Sequence, residues 1–420
     1  MMNAKITCIA VISLLLCALA SLSHAQEVAF HGFVQGNISA RVTGNETAGP
    51  EEGGDYLSGE ERLRGEVTGS SGPSDFVLKI DLVHDSIAGE DGIDIREGYI
   101  DYRSADYDLR IGRQIITWGV GDLLFINDIY PKDYGALFSG QPLEYLKIGS
   151  DAAKVSAYSD LFSAELVIIP FFEPYHLPDP KRFFLYNPMP GLAQATEEPR
   201  RETENTEIAL RLYRQIGRFD TSLYAYRGFF KLPGMKTDDP VSPTPAILFY
   251  PQLSVYGLSL QGAFANGVLS MEGGYYDSLD DRGGDDPTVA NSSARYLVGY
   301  SRQFWTDFTA GIQYYGEAMQ DYGRYEDSLP AGFPKTDRFH QLVTLRLTQM
   351  LKYNTLRLGL FSFYSPDEED WFIIPEVRYN ITDSVWTSVG VNLFGGKDST
   401  TFFAQLDKND NLYANLRYEF

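Results

Sequence analysis

The sequence contains one pair of side chains whose spacing would suit nucleophilic chemistry. His84 and Ser86 are two residues apart, so on a β-strand they would project from the same face. A histidine that takes the proton of a serine hydroxyl is a common way to activate that nucleophile. The flanking residues supply no further motif, and the next stretch is an ordinary turn rich in Gly, Glu and Asp. A motif without its structural context is weak, so we expect no enzymatic activity.

Sites for metals, nucleotides and nucleic acids have no better support. The histidines that follow the N-terminal segment are too scattered for a zinc site: His31, His84, His176 and His340. Acidic stretches such as residues 279–286 lack the ligand spacing of a calcium loop, although Ca²⁺ binding there stays open. No glycine-rich phosphate loop with its lysine is present, and a net charge of −22 opposes nucleic-acid binding. We therefore expect no cofactor and no metal.

The N-terminus has the composition of a secretory signal. A charged start and a mostly apolar stretch end in a small-x-small pattern just before Gln26. We predict that residues 1–25 are cleaved and that residues 26–420 form a single domain. Both cysteines, Cys8 and Cys17, would leave with the signal, so the mature chain would carry no disulfide and no cysteine-based metal site.

The last ten residues show the strict period of two of a β-strand with one apolar face. Polar residues alternate there with the apolar side chains of Leu412, Ala414, Leu416, Tyr418 and Phe420. Similar alternation recurs through the chain, and short turns between the inferred strands alternate with longer polar loops. This arrangement of connections is typical of a transmembrane barrel.

The whole chain predicts an all-β fold. No apolar run after residue 25 approaches the roughly 18 residues that a membrane-spanning helix needs. A secreted chain that crosses a membrane without such helices must cross as a closed barrel. We predict a transmembrane antiparallel up-and-down β-barrel of about 18 strands, with 16 as the alternative, and with an inward-folded loop. A soluble all-β protein would explain the alternation, but less well the signal, the long hairpins and the C-terminal Phe together.

One stretch after the fifth inferred strand breaks the alternation. Arg113 has the parity of the lipid-facing side, where a charge is costly near the middle of the membrane. We predict that the strand either bulges at Gly112 or has already bent inward, and that residues 113–148 fold into the lumen and narrow it. The side chains that would control charge and width at the narrow point are Arg113, Trp118, Asp122, Asp128 and Asp133. The alternative is that these residues only attach the loop to the barrel wall, which we prefer for Trp118.

Four short motifs in this region occur together: Arg96-Glu97-Gly98-Tyr99, Gly112-Arg113-Gln114, Trp118-Gly119 and Asp128-Ile129-Tyr130-Pro131-Lys132-Asp133. With them the sequence resembles a largely uncharacterised family of Gram-negative outer-membrane porin-like β-barrel proteins. The resemblance implies the barrel fold and a location in the cell outer membrane, among lipid and lipopolysaccharide, but no substrate. The closing strand also resembles those of outer-membrane proteins that finish on Phe, which implies that the barrel-assembly machinery recognises Phe420.

Charged residues with inward parity describe the expected lumen. In the first strands they are Arg62, Arg64, Lys79, Asp81, Glu97, Asp101 and Arg110. Farther along they include Lys154, Glu165, Glu207, Arg211, Glu272, Arg295, Arg346, Arg357, Arg378 and Arg417. Such charges tolerate burial only when they are paired or hydrated. A hydrated interior would fit a channel and a fully paired interior would fit a plugged wall, and the sequence leaves both open.

These features predict a passive channel for small solutes, with the substrate unknown. The alternative is a transporter that exports apolar molecules together with periplasmic partners, with the aromatic stretches 171–175 and 182–186 as docking sites for the ligand. A lipid hydrolase at the membrane interface, built on His84 and Ser86, is a minor alternative. The sequence leaves the oligomeric state open between monomer and trimer.

Overall fold

Eighteen antiparallel strands form one closed barrel in a computed structural model that describes residues 27–42, 54–237 and 245–420. Each strand pairs with its neighbour, and the last strand pairs with the first to close the sheet. The predicted fold class and strand number are therefore confirmed. The predicted signal peptide, residues 1–25, and most of the first long loop, residues 43–55, lie outside the described residues.

The strand bounds follow the alternating segments of the sequence. Strands β1 to β7 span Glu27–Arg41, Tyr56–Ser71, Ser74–Asp85, Glu90–Arg103, Tyr107–Gln114, Ser150–Ala157 and Ser163–Ile169. Strands β9 and β10 span Glu207–Ile216 and Phe219–Phe229. Strands β13 to β17 span Gln252–Phe264, Gly267–Ser278, Ser293–Trp305, Phe308–Met319 and Phe339–Leu351. The last four, β18 to β21, span Leu356–Ser365, Asp370–Asn380, Val385–Gly396 and Asn411–Glu419.

Three short strands stand outside the barrel. Strands β8 (Gln194–Glu197), β11 (Gly234–Thr237) and β12 (Ala246–Phe249) form a small sheet among the long loops. Helix α1 (Tyr134–Phe138) lies in the loop after β5, and α2 (Tyr322–Ser328) lies in the loop after β16. No helix in these described parts of the chain is long and apolar enough to cross a membrane.

The connections differ strongly between the two ends of the barrel. At one end, called here the turn end, neighbouring strands are joined by two to five residues. At the other, the loop end, most connections are long, and the segment between β7 and β9 runs from residue 170 to residue 206. This asymmetry is the one that the sequence predicted, and it is typical of barrels in outer membranes.

The pairing of the first strand with the last strand ends at Gly32. Gly32 and Phe420 exchange two backbone hydrogen bonds, with N–H to O distances of 3.0 and 2.9 Å. A Cβ at Gly32 would lie 2.4 Å from the carbonyl oxygen of Arg64 and 2.7 Å from Cζ of Phe420, so only glycine fits between the neighbouring strand and the terminal ring. The C-terminal Phe420 therefore covers the seam where the sheet closes.

The wall carries apolar side chains outside and polar side chains inside. On β1, Phe30, Val34 and Ile38 are 71%, 49% and 50% exposed, whereas the alternate residues Gln35 and Asn37 are buried. A soluble sandwich would have the opposite arrangement, because its apolar residues would be hidden from water. An apolar outer surface around a polar interior is expected where lipid surrounds the barrel.

The loop after β5 enters the barrel and gives it an apolar core. Residues 115–149 contribute Trp118, Ile126 and Phe138 to a buried cluster that also contains inward-facing wall side chains, among them Val167, Tyr276, Leu297, Phe361 and Phe372. The predicted inward loop is therefore present. Its predicted start at residue 113 is two residues early, because β5 continues through Gln114.

Candidate functional site

A carboxylate on the barrel wall holds the first part of the inward loop. Glu272, on β14, is buried and accepts hydrogen bonds from the backbone N–H groups of Val120 (2.8 Å), Gly121 (3.1 Å) and Asn127 (2.6 Å). The side-chain amide of Asn127 donates a fourth at 3.0 Å. Several N–H donors replace the hydration that the carboxylate loses on burial, so no cation is required beside it.

Trp118 attaches the inward loop to the barrel wall. Its indole N–H donates to Oε1 of Glu165 on β7 at 2.5 Å. Its ring packs against the rings of Tyr130 and Tyr224, with centroids 5.3 and 5.7 Å away. A buried indole with a satisfied N–H contributes mainly packing energy. This geometry is the one that the sequence reading preferred for Trp118.

Asp122 reaches the opposite wall. Its carboxylate forms a two-bond ion pair with the guanidinium of Arg346 on β17, and the Nη2 to Oδ1 distance is 2.7 Å. Its backbone N–H donates to Oε1 of Gln313 at 2.7 Å. The Asp122 side chain is 45% exposed, so this ion pair faces the free space of the lumen.

Asp128 belongs to the interior of the loop. Its carboxylate is buried and pairs with Nζ of Lys132 at 3.0 Å and with Nζ of Lys147 at 3.3 Å. Lys132 is also fully buried, and its ammonium donates to the carbonyl of Tyr130 at 2.7 Å. These contacts connect Asp128, Lys132 and Lys147 within the loop. Nothing in this position places Asp128 against a passing solute.

Asp133 caps helix α1 and joins the loop to a neighbouring one. It accepts a hydrogen bond from the N–H of Ala136 at 2.7 Å, and it lies 3.4 Å from Nδ1 of His176. Nε2 of His176 lies 3.3 Å from Glu173. Hydrogen bonds to these two carboxylates raise the pKa of His176 to about 9. The protonated ring therefore bridges the two loops at neutral pH.

Arg113 lies in β5 and not in the loop. Gly112 adopts a φ of +128°, which a residue with a Cβ rarely adopts, and this turns the next side chain. The Nε of Arg113 donates to the carbonyl of Ile95 at 2.8 Å, and its Nη1 lies 3.6 Å from Asp151. The pairing of β5 with β4 and β6 continues through Arg113 without a register shift, so the predicted alternatives, a bulge at Gly112 or an early inward bend, are both wrong.

Asparagines and charged groups on the closing strands hold the far part of the loop. Asn37 and Asn415 donate to the carbonyl of Gly140, and Asn392 and Asn411 donate to the carbonyl of Phe138, at 2.9 to 3.3 Å. Glu144 pairs with Arg64 at 3.1 Å and with Arg417. The loop is therefore attached to strands on every side of the lumen.

The lumen charges predicted in the first strands are all paired. Asp81 is fully buried between the guanidinium groups of Arg62 and Arg64, at 2.7 and 2.6 Å. Lys79 pairs with Glu97 at 2.9 Å, and Arg110 forms two hydrogen bonds to Asp101 at 2.6 and 2.7 Å. These ion pairs neutralise the charges on this side, and a cavity of about 370 Å³ lies against Asp101 and Arg110.

Free space also lies between the loop and strands β17 to β21. A cavity of about 280 Å³ is bounded there by loop residues 137 and 140–144 and by Leu123. Its wall carries four arginines and one acid of the barrel strands, namely Arg346, Arg357, Arg378, Arg417 and Glu376. Of the predicted constriction residues, Asp122 alone contacts this wall, through Arg346. Arg113, Trp118, Asp128 and Asp133 do not line the cavity.

The sequence did not predict that Arg96 and Glu144 hold the inward loop. Arg96 donates to the carbonyls of Glu144 and Lys147 at 3.0 and 2.9 Å. A register shift opposite Lys79 leaves Arg96 without a partner on β3 and directs it inward, contrary to simple alternation. Glu144 gives no signal of its own in the sequence, because an acid in a loop is ordinarily solvated.

The residues considered for a lipid hydrolase, for calcium binding and for an apolar ligand contact other groups of the protein. His84 lies 2.9 Å from Asp91, and the hydroxyl of Ser86 donates to the carbonyl of Gly59 at 2.7 Å. Asp281, in the acidic stretch 279–286, is buried and accepts from backbone N–H groups of its own loop. In the aromatic stretch 171–175, Phe172 packs against Phe229 at the end of β10 and against Tyr250 of the next loop, with centroids 5.6 and 4.8 Å away.

Three solved structures from Pseudomonas aeruginosa have a similar fold. OccK5 (OpdH) gives a TM-score of 0.55 at 9% identity, over 94% of this chain and 99% of that chain. OccD3 (OpdP) gives 0.55 at 8% identity, over 94% and 92%. OccK11 (OpdR) gives 0.53 at 10% identity, over 94% and 97%. Likeness at such identities shows the fold alone.

No protein-family model matches the chain, and no curated protein matches it. The membership that the four motifs suggest therefore stays a prediction. The fold assignment rests on the barrel itself and on the three solved structures.

Proposed function

We propose that this protein is an outer-membrane channel through which small solutes pass passively. The observation that carries the proposal is the cavity between the inward loop and strands β17 to β21, inside a closed barrel with an apolar outer surface. Solutes would pass along this cavity, beside the inward loop. We place the turn end in the periplasm, as short connections suggest.

The size and lining of the cavity support a narrow passage. A volume of about 280 Å³ is near the lower limit of pockets for small ligands, so the solutes would be small. The ion pair between Asp122 and Arg346 lies at its side and would influence which ions pass. Arg113, Asp128 and Asp133 would act on the passage only through the position of the loop.

The proposal includes the surroundings of the barrel. The apolar outer residues would face lipid, and the long loops would face lipopolysaccharide. The ring of Phe420 would be recognised by the barrel-assembly machinery before it seals the seam at Gly32. Deletion of Phe420 would then reduce the amount of folded barrel in outer membranes in cells more than in refolding from urea into detergent, because only the cell uses that machinery.

Single-channel recording tests the central claim. Mature protein, residues 26–420, would be refolded and inserted into a planar lipid bilayer under a KCl gradient. We expect stepwise openings, and the reversal potential would report whether cations or anions pass more easily. Protein that migrates as a folded, heat-modifiable barrel on an SDS gel but produces no openings would contradict the channel.

A further inference from the structure

The turn-end half of the cavity contains two arginines that face each other across neighbouring strands. Arg357 is the second residue of β18, and Arg378 lies two residues before the end of β19. They are register partners, so their Cα atoms are separated by one strand spacing. Like charges in such opposed positions destabilise a sheet unless another group compensates them.

Among the described residues, only one of these two arginines forms an ion pair. Arg357 donates to Oε1 of Glu376 at 2.6 Å, and the hydroxyl of Tyr413 holds the other oxygen of that acid at 3.4 Å. Arg378 contacts no carboxylate among the described residues. Its guanidinium lies over the ring of Trp386, 3.9 Å from the centroid, and it faces the cavity.

The remaining walls are suited to an apolar group. Leu137, Phe361 and Ile374 line the same cavity, and Trp386 lines it beside Arg378. An occupant that places an anionic end between the two arginines would therefore place its body against apolar side chains. A guanidinium group binds a planar carboxylate through two parallel hydrogen bonds. The guanidinium of Arg378 has N–H donors on the cavity side for such a pair of bonds.

We propose that Arg357, Arg378 and Trp386 form a binding site for a small monocarboxylate with an apolar body, reached from the turn end of the barrel. The carboxylate bridges the two arginines, and the apolar body rests between the loop and β18–β19. The site deepens the proposed channel by naming a class of solute, and it rests on that proposed function. Bound solute would occupy the passage, so carboxylates at high concentration would block the current of K⁺ and Cl⁻.

Benzoate is a suitable probe for the channel in a bilayer. Added on the turn side, benzoate is expected to reduce the KCl conductance in a saturable manner. Benzyl alcohol has the same ring without the charge, and inorganic phosphate has the charge without the ring, so both are expected to block poorly. Equal block by benzyl alcohol would overturn the role of the arginines, and equal block by phosphate would overturn the apolar body.

Two charge-matched variants locate the site. Arg378→Gln is expected to raise the half-blocking benzoate concentration about tenfold or more, because a charge-assisted pair of hydrogen bonds is lost. Arg110→Gln removes the same charge from the turn-end half of the lumen, but at a site where the arginine is paired with Asp101. Its half-blocking concentration is expected to stay within about twofold of the wild type. An equal rise in both variants would overturn a local site.

Calorimetric titration of benzoate into folded protein in detergent separates this proposal from the channel itself. Binding that Arg378→Gln weakens, in protein that is silent in bilayers, would support the site while the channel fails. Openings in KCl without any benzoate block or binding heat would overturn the site and leave the channel intact. Both variants are compared only as heat-modifiable, folded barrels.

Discussion

Glu272 accepts hydrogen bonds from both the backbone and the side-chain amide of Asn127, at 2.6 and 3.0 Å, although 145 residues separate the two. Together with the N–H groups of Val120 and Gly121, this contact fixes the entrance of the inward loop to strand β14. The carboxylate has four donors and, within the described ranges, no ion-pair partner. The position of the loop therefore depends on a single wall residue more than on any ion pair at this point.

Replacement of Glu272 by Gln should loosen the loop. The amide keeps the size of the side chain but loses the charge, and its NH₂ group points at backbone N–H donors. Hydrogen bonds to a charged group contribute about 1.5–3 kcal/mol each, so we expect a loss of a few kcal/mol in the free energy that holds the loop. Single-channel recordings should show a larger and noisier conductance. Glu61→Gln, on the exposed outer surface, is the control, and equal noise in both variants would contradict the anchor.

A side chain at Gly32 should disturb the closure of the barrel. Gly32→Val would place atoms against the carbonyl of Arg64 and the ring of Phe420 and destabilise the seam by about 1–3 kcal/mol, as overpacking usually does. Gly36→Val is the matched control, because it lies on the same strand and nothing is within 4 Å of its added Cβ. The fraction of heat-modifiable folded barrel after refolding should fall for Gly32→Val alone. Equal folding of both variants would show that Phe420 does not pack at this glycine.

Two of the predicted constriction residues should behave differently. Asp122→Asn removes an exposed negative charge beside the cavity and frees Arg346, so the reversal potential in a KCl gradient should shift toward greater anion permeability. Arg113→Gln should leave that potential unchanged, because Arg113 contacts Ile95 and Asp151 and does not line the cavity. A shift in the second variant and not in the first would reverse this assignment.

The bridge through His176 should weaken at alkaline pH. Its pKa is about 9 in the folded protein and about 6.5 in the unfolded chain. The stabilisation is complete below pH 6.5 and is lost as the pH rises through 9. Half of the ring is exposed, so water screens the bridge and we expect it to contribute no more than about 1 kcal/mol.

This pH dependence can be measured as current noise. Recordings between pH 6.5 and pH 10 should show growing fluctuations of the open channel as Asp133 and Glu173 lose their shared partner. His176→Gln should be noisier at pH 6.5 and should lose most of the change with pH. The same pH profile in the variant would mean that another group controls the loop.

The alternation of side chains predicted the strands, and the signal-like N-terminus, the long hairpins and the C-terminal Phe favoured a membrane barrel over a soluble all-β fold. Each strand has apolar residues facing lipid and polar residues facing the lumen. Because successive side chains point to opposite faces, the two kinds of residue alternate along the sequence. Phe30, Val34 and Ile38 on β1 and Leu412 and Leu416 on β21 lie outward as this rule requires. The number of strands and the alternation of short and long connections followed from the same pattern.

Parity alone could not predict local departures from regular strands. Arg96 points to the loop because a register shift interrupts the alternation on β4. Arg113 stays in β5 because the positive φ of Gly112 and the carbonyl of Ile95 accommodate its charge. Such departures depend on contacts between strands, which a single segment does not contain.

The sequence by itself determined which charges face the lumen, and the tertiary structure decided which of them are neutralised. Arg357 and Arg378 both had inward parity, but only the pairing of β18 with β19 sets them opposite each other. Glu272 had the same parity as many other acids, and only the path of the loop makes it an anchor. An ion pair or a hydrogen bond depends on a few ångströms between distant segments, whereas the facing of a side chain depends on its immediate neighbours in the chain.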